Sequence, residues 1–383
     1  MTIVYFITTV GHGKGGHFHS LNTIANAMGE TENVHVINFG VQASEVLDNK
    51  NYKLTFINFN GYNFLPAYFS IKKHIKTLQP DAIHAFDVES FAFSRLFSRG
   101  RGQASFLNKC GGPNPKKYFP IAHNLVLFSK ENKAYFENKE RYNASVLTLI
   151  PNRVRPIQLS QTRIDEFYAK HGKAELSLLR IARIGKHYHT SISQSINLVS
   201  WLIAKGLNVR LIVIGTIQSK TNYEAIIDEI KSKKLEDNVI VETSDKFTYN
   251  ASELLDVGDV IIGTGRNFME ASSLNKMLLV PYKDADYPLL VTNGNFEAIF
   301  ATNFSPRTQV PDFNEEANLE DIYNALKNED KMVSISWFES YFNVKNGVDM
   351  YKNIYLNQDL SKKSNLIDTF ANILYLIKTF VLR

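Results

Sequence analysis

The chain has one cysteine, Cys110, in 383 residues, so no intrachain disulfide can form. A chain of this kind suits a reducing compartment. No apolar run reaches the roughly 18 residues that span a bilayer. The opening segment Met1-Thr2-Ile3-Val4-Tyr5-Phe6 carries no basic leader and reads as a first strand, not a signal peptide. The expected location is the cytoplasm. Charge of one sign is not concentrated either. There are 43 basic and 38 acidic residues, a net charge of +5. A nucleic-acid binder usually shows a basic stripe. Here the clusters Arg99-Gly100-Arg101, Lys116-Lys117, Lys231 to Lys234 and Lys362-Lys363 read as solvated faces, and no nucleic acid is expected as a partner. The mild excess of positive charge suits a phosphate-bearing substrate or an anionic membrane surface. No Gly-Lys-Ser/Thr stands at Walker spacing, which excludes a P-loop.

What is present is ordinary globular material, 44% hydrophobic and 21% charged, in a length that fits two domains of about 150–200 residues. Ile3 to Val10 is a buried parallel strand by its continuous apolar, β-branched character. A Gly-rich segment follows, and then Leu21, Ile24, Ala25 and Met28 mark an amphipathic helix that Gly29 can end. Strands at Val34–Phe39, Leu54–Phe59, Ala82–Phe86, Leu125–Phe128 and Val146–Ile150 alternate with helices at Phe64–Leu78 and Val88–Phe97. The pattern breaks at the proline-bounded linker Pro151-Asn152-Arg153-Val154-Arg155-Pro156 and then restarts. Strands are expected at Leu178–Ile184, Val209–Ile214, Val239–Val241, Val260–Ile262 and Met277–Val280. Alternation of this kind implies parallel βαβ units. The expected organisation is an α/β chain of two doubly wound Rossmann-like domains, residues 1–155 and 156–350, facing across a cleft. A C-terminal helical segment, 351–383, packs back on the first domain. Its apolar residues Leu366, Ile367, Phe370, Ile373, Leu374, Leu376, Ile377 and Phe380 suit a packed helix or a monotopic membrane contact.

Two Gly-rich turns between strand and helix are the natural anion sites, because backbone N–H groups at a helix start point at the ligand. Gly11-His12-Gly13-Lys14-Gly15-Gly16 follows the first strand, without the carboxylate a dinucleotide fingerprint needs after strand two. Gly263-Thr264-Gly265-Arg266-Asn267-Phe268-Met269-Glu270 follows Val260–Ile262. Its amides and Arg266 suit a diphosphate, and Glu270, one turn later, suits ribose hydroxyls; the plainer alternative is an Arg–Glu i,i+4 pair. His12, His17 and His19 are dense but lack a thiolate or zinc-like spacing, so no metal is expected there; a role for one of them in touching substrate is. His84 and Asp87, at the end of Ala82–Phe86, either meet an acceptor or cap the following helix.

The segment Gly263 to Pro281 resembles the nucleotide-sugar motif of the retaining GT-B glycosyltransferases, the large family that includes sucrose-phosphate synthases and phosphatidylinositol mannosyltransferases. Arg180-Ile181-Ala182-Arg183-Ile184-Gly185-Lys186 resembles the strand that opens that family's C-terminal domain, and Gly15-Gly16 its glycine pair. The resemblance implies a donor site of Gly15, Gly16, Arg183, Lys186, Gly263, Thr264, Gly265, Arg266 and Glu270, with a UDP- or GDP-sugar as donor and no metal. Asp284-Ala285-Asp286 has metal-motif spacing but reads as a loop. Two departures stand out. Ile262 holds the place of the family's first glutamate. Ser105 to Pro115 reads as a lysine-glycine-glycine variant, with Lys109 in the place of a histidine, as in bacterial surface-polysaccharide members. Lys109, Arg183 and Glu270 are then the expected catalytic set. His17, His84, Asp87 and Asn114 are expected at a saccharide or lipid-linked acceptor, with a peripheral membrane contact as a further expectation. The competing readings are a non-catalytic nucleotide-sugar-binding subunit and a nucleotide-sugar 2-epimerase on the same fold.

Overall fold

The computed structural model describes residues 1–11, 13–98, 104–283, 285–327, 334–357 and 366–381. His12, the Arg99-Gly100-Arg101 and Lys362-Lys363 clusters and Asp284 lie outside the described residues. The chain divides into two compact units, Met1–Val154 with Phe342–Arg383, and Arg155–Tyr341. Both are Rossmann-like α/β units built on a mainly parallel sheet.

The first unit holds β1 (Thr2–Thr9), β2 (Asn33–Gly40), β3 (Lys53–Asn58), β4 (Ala82–Ala85), β5 (Ala104–Lys109), β6 (Asn124–Leu127) and β7 (Val146–Leu149). Their order in the sheet is β3-β2-β1-β4-β5-β6-β7, parallel throughout. The continuous apolar run of β1 has its reason in the two layers that cover it. Ile3, Tyr5 and Ile7 pack with Phe18 and Leu21 on one face, and Val4 and Phe6 with Ile71 and Phe93 on the other. A strand covered on both sides has no polar side to show.

The second unit holds β8 (Leu176–Ile181), β9 (Val209–Ile214), β10 (Val239–Glu242), β11 (Val260–Ile262), β12 (Met277–Val280) and the short β13 (Leu289–Leu290). Their order is β10-β9-β8-β11-β12-β13, with only β13 antiparallel. In each sheet the chain winds one way from the central strand and then returns on its other side. The switch points are the carboxyl ends of β1 and β4 in the first sheet, and of β8 and β11 in the second. Ligands of open α/β sheets bind at such points.

The C-terminal boundary differs from the one expected. The chain returns to the first unit at Phe342, not at 351. Val154 and Asn343 form a parallel bridge, and the helix Val344–Leu356 sends Val344, Tyr351 and Tyr355 into the first unit's core. Those apolar residues belong to the same cluster as β1, so the crossing comes where they begin.

The last helix, Leu366–Val381, is fixed by a buried ion pair. Asp368 accepts from Arg95 Nη1 at 2.5 Å, and both side chains are almost fully buried. The Tyr118 hydroxyl and the Ile121 N–H also donate to Asp368. Removing one partner of a buried pair leaves an uncompensated charge, which costs about 3–5 kcal/mol. Asp368→Ala is therefore expected to lower the urea-unfolding free energy by about that amount, while Lys378→Ala, on an exposed position of the same helix, leaves it nearly unchanged.

Candidate functional site

In the second unit the expected donor residues come from two neighbouring strands. Arg183 and Lys186 follow β8, and the turn Gly263–Gly265 follows β11, which pairs with β8 up to Ile261↔Leu179. The turn is shaped by glycine. A Cβ on Gly263 would lie 3.0 Å from the Phe268 backbone, and Gly265 has φ +51° and ψ −123°. Only a glycine adopts that conformation without strain. The helix Arg266–Ser272 starts there and brings Glu270 back beneath Arg266. Arg266 Nε donates to Glu270 Oε1 at 2.7 Å, and Ser252 Oγ donates to Glu270 Oε2 at 2.7 Å. Glu270 is buried, so this i,i+4 pair is partly shielded from water, unlike a surface pair. Arg183 is exposed, with its guanidinium over the Tyr188 ring and a 2.9 Å hydrogen bond to its hydroxyl. Lys186 is exposed beside it.

One residue that the sequence reading passed over lies at this switch point. Arg180, on β8, is 1% exposed. Its Nη1 donates to the Ile262 carbonyl at 2.9 Å, where the β8–β11 ladder ends, and its Nη2 donates to Ser191 Oγ at 3.0 Å in the first turn of the helix His189–Ala204. Its Nε has no partner, and no carboxylate pairs with it among the described residues. Burial pulls its pKa down to about 10, so the guanidinium stays charged at neutral pH. An arginine in the middle of a strand reads as a surface residue; only the burial distinguishes it.

Two anchors hold the surrounding loops. Gln194 donates to the carbonyls of Tyr282 and Ala285, fixing the exit of β12. Glu242, at the end of β10, accepts from Lys170, His171 and the Ser244 N–H. Burial opposes its ionisation, but these three hydrogen bonds prevail and hold its pKa down to about 2. A pocket of about 330 Å³ lies past β12, lined by Tyr282, Lys283, Arg307, Thr308 and Gln309; none of the expected donor residues lines it.

In the first unit, Gly15, Gly16 and His17 lie after β1, and Asp87 after β4. A Cβ on Gly15 would meet the His17 ring at 2.8 Å, so that glycine makes room for the imidazole; Gly16 has open space around it. His17 is half-buried, and burial lowers its pKa against the opposing field of Glu89. Glu89, also unforeseen, has its pKa raised to about 7, first by burial and then by Asp87. Asp87 caps the helix Val88–Ser98. It accepts from Ser90 N at 2.6 Å and from Thr8 N at 2.7 Å, which ties β4 to β1. Both carboxylate oxygens accept from the backbone, as the capping alternative expects.

His84 is a second correction. Its place at the end of Ala82–Phe86 suggests acceptor contact, yet it is fully buried. Its Nδ1 lies 2.7 Å from the Tyr355 hydroxyl and its Nε2 2.9 Å from Asn108 Oδ1. Burial pushes the imidazole down to about 3, against the Asn108 hydrogen bond. It is a core residue. Lys109 ends β5, with its ammonium on the Gly111 carbonyl. Gly111 and Gly112 both have positive φ, +53° and +68°, which curls the turn back over the lysine. Asn114 accepts from Asn132 at 2.9 Å, which pins this loop to the helix Lys130–Glu137. Among the described residues, no group of three or more His, Cys, Asp or Glu side chains could hold a metal ion.

The two Rossmann-like units match the fold of GT-B glycosyltransferases of known structure. A glycosyltransferase from Rickettsia africae is similar over 94% of this chain and 99% of its own, with a TM-score of 0.67 at 15% identity. HepE from Anabaena, in complex with UDP-glucose, has a TM-score of 0.64 at 13% identity, over 94% of this chain and 100% of its own. Sucrose-phosphate synthase from Thermosynechococcus elongatus has a TM-score of 0.61 at 11% identity, over 93% and 98%. No protein-family model matches the sequence, and no curated protein matches it. At these identities the likeness is one of fold.

The buried His84 makes a pH prediction. Its folded pKa of about 3 lies below the ordinary 6.5. Below pH 6.5 the unfolded chain takes up a proton that the folded chain refuses, so stability is full above that pH and falls as pH drops toward 3. The slope from this group alone is up to about 1.4 kcal/mol per pH unit. Urea unfolding of the wild type and His84→Gln at pH 7, 6, 5 and 4 checks it: the variant is expected to show a shallower loss.

Proposed function

We propose that the chain is a glycosyltransferase that binds a nucleoside diphosphate sugar on the second unit and passes the sugar to an acceptor held by the first. The observation that carries this reading is the gathering of Arg180, Arg183 and Lys186 on and after one strand with Arg266 after its neighbour, at the point where the strand order reverses. A buried guanidinium without a carboxylate is costly to keep, and an anion beside it offsets that cost. The exposed Arg183 and Lys186 suit the oxygens of a diphosphate.

The chemistry asked of the protein is to stabilise the negative charge that develops on the leaving nucleoside diphosphate. Arg183, Lys186, Arg266 and the amides of the 263–266 turn supply that stabilisation, with no role assigned to a metal. Glu270 orients Arg266 through Nε and accepts from the ribose. In the first unit, Lys109 is assigned to the reacting sugar, and His17 and Asn114 to the acceptor. HepE in its UDP-glucose complex supports UDP as the nucleotide; GDP is the alternative base. The resemblance in sequence favours retention of configuration and a bacterial saccharide or lipid-linked acceptor.

Thermal shift with UDP, GDP and their sugars tests the donor site. A ligand at 100 times its Kd adds about 2.7 kcal/mol to folding stability. UDP or GDP is expected to raise Tm, and Arg183→Ala or Arg266→Ala to weaken binding about ten- to a hundredfold, the range for a hydrogen bond to a charged group. Glu270→Gln is expected to weaken it less, because the amide keeps one hydrogen bond to Arg266. No shift with any nucleotide overturns the reading. Binding without release of nucleoside diphosphate from any nucleotide sugar, in the presence of saccharide or lipid-linked acceptors, leaves a binding subunit in place of an enzyme.

A further inference from the structure

The helix Leu366–Val381 is inside out. A surface helix ordinarily turns its apolar stripe to the core and its polar side to water. Here Asp368 and Asn372 are 4% and 1% exposed, while Ile367 and Phe370 are 81% and 64% exposed. Leu366, Leu374 and Ile377 are exposed on the same side, as their spacing of about one helical turn dictates. The rotation is set by the buried pair of Asp368 with Arg95, and by Asn372 Nδ2, which donates to Asp368. Leu376 joins the core from the inner side. The outward stripe is therefore held in water by a specific polar lock on the other side, and not by a poorly packed end.

The stripe runs into a second surface. The last turn packs on the Gly61 corner, where a Cβ would lie 2.7 Å from Val381, and Phe380 lies edge-on to Phe59 at 4.7 Å. That corner leads into the helix Phe64–Leu78, with Tyr62, Leu65 and Phe69 exposed. One to two turns beyond Phe69, on the same side, come the exposed Lys72, Lys73 and Lys76. This second helix contains no acidic residue. The single acid of the C-terminal helix, Asp368, is buried, and its Lys378 is exposed.

We infer that this surface docks on an anionic lipid membrane, with Ile367, Phe370, Leu374 and Leu65 entering the headgroup–acyl boundary and Lys72, Lys73, Lys76 and Lys378 facing lipid phosphates. Exposed aromatic and aliphatic side chains bordered by lysines are the pattern of interfacial binding. A second copy of the chain suits the surface less well, because these two helices present lysines and no exposed carboxylate for those lysines to meet. No helix among the described residues is long and apolar enough to cross a membrane; the contact inferred here is interfacial. The inference is independent of the nucleotide site.

Sedimentation with vesicles of phosphatidylcholine, with and without phosphatidylglycerol, tests it in the absence of nucleotide. The wild type is expected to partition onto the phosphatidylglycerol vesicles and to be released by salt. Phe370→Ser with Leu374→Ser is expected to cut partition at least about tenfold, from the loss of two apolar side chains at the boundary. Lys72→Glu with Lys73→Glu and Lys76→Glu is expected to cut it by at least about fivefold per lysine on the anionic vesicles. All five positions are exposed, and an unchanged circular dichroism spectrum certifies the fold of each variant; should the serine pair fail to fold, the lysine triple still decides. No partition onto either vesicle, or partition unchanged in both variants, overturns the proposal. So does a dimer in sedimentation equilibrium that the serine pair dissociates, since a second copy then covers the face.

Discussion

Both sheets are covered on two faces, and most of the architecture depends on that one constraint. A parallel sheet buried on both sides leaves only its edges and strand ends to water. The two layers on β1, with Ile3, Tyr5 and Ile7 to one side and Val4 and Phe6 to the other, make its middle, Ile3 to Ile7, apolar throughout and leave the threonines to its ends. Polar chemistry is then driven to the carboxyl ends, where helices start and backbone N–H groups are unpaired. The reversal of strand order opens a crevice there in each unit. The Gly263–Gly265 turn, Arg183, His17 and Asp87 all sit at such ends.

A few buried polar groups do work that apolar packing cannot. Arg180 bridges the last carbonyl of β11 and the first turn of the helix His189–Ala204, and so closes the base of the second unit's crevice. Asp87 joins β1 to β4 through Thr8 N and starts the helix Val88–Ser98. Asp368 sets the rotation of the last helix against Arg95. Each is directional, so each selects one arrangement among several that would bury the same apolar area. The same directionality puts a charge at the second unit's crevice in the first case and an apolar stripe in water in the last.

The alternation of strands and helices was legible because its periods are local: a continuous apolar run for a two-sided strand, and a turn-spaced stripe for a helix. The helix Phe64–Leu78 and the strand Val209–Ile214 have the bounds their patterns imply. The stretch after β12 was opaque. The short helix Phe296–Ala301 and the two-residue β13 carry too few residues for a period to show. The glycine turn and the Arg266–Glu270 spacing were visible as well, because they depend on neighbours in the chain.

Residues whose environment comes from far along the chain could not be read that way. His84 lies near the end of a strand and so points, by topology, toward ligand; its partner Tyr355 lies 271 residues on and makes it a core residue. The C-terminal helix has an apolar stripe that suits packing, yet Asp368 meets Arg95 273 residues away and turns the stripe outward. Arg180 reads as surface until β11 and the helix His189–Ala204 close over it. By itself, then, the sequence determined which segments are strands or helices and where glycine lets the backbone turn, since these follow from dihedral preference and local burial pattern. Only the tertiary structure decided which polar side chains are buried, which are paired and which way the last helix faces, because hydrogen bonds and ion pairs between distant segments outweigh local preference once water is excluded.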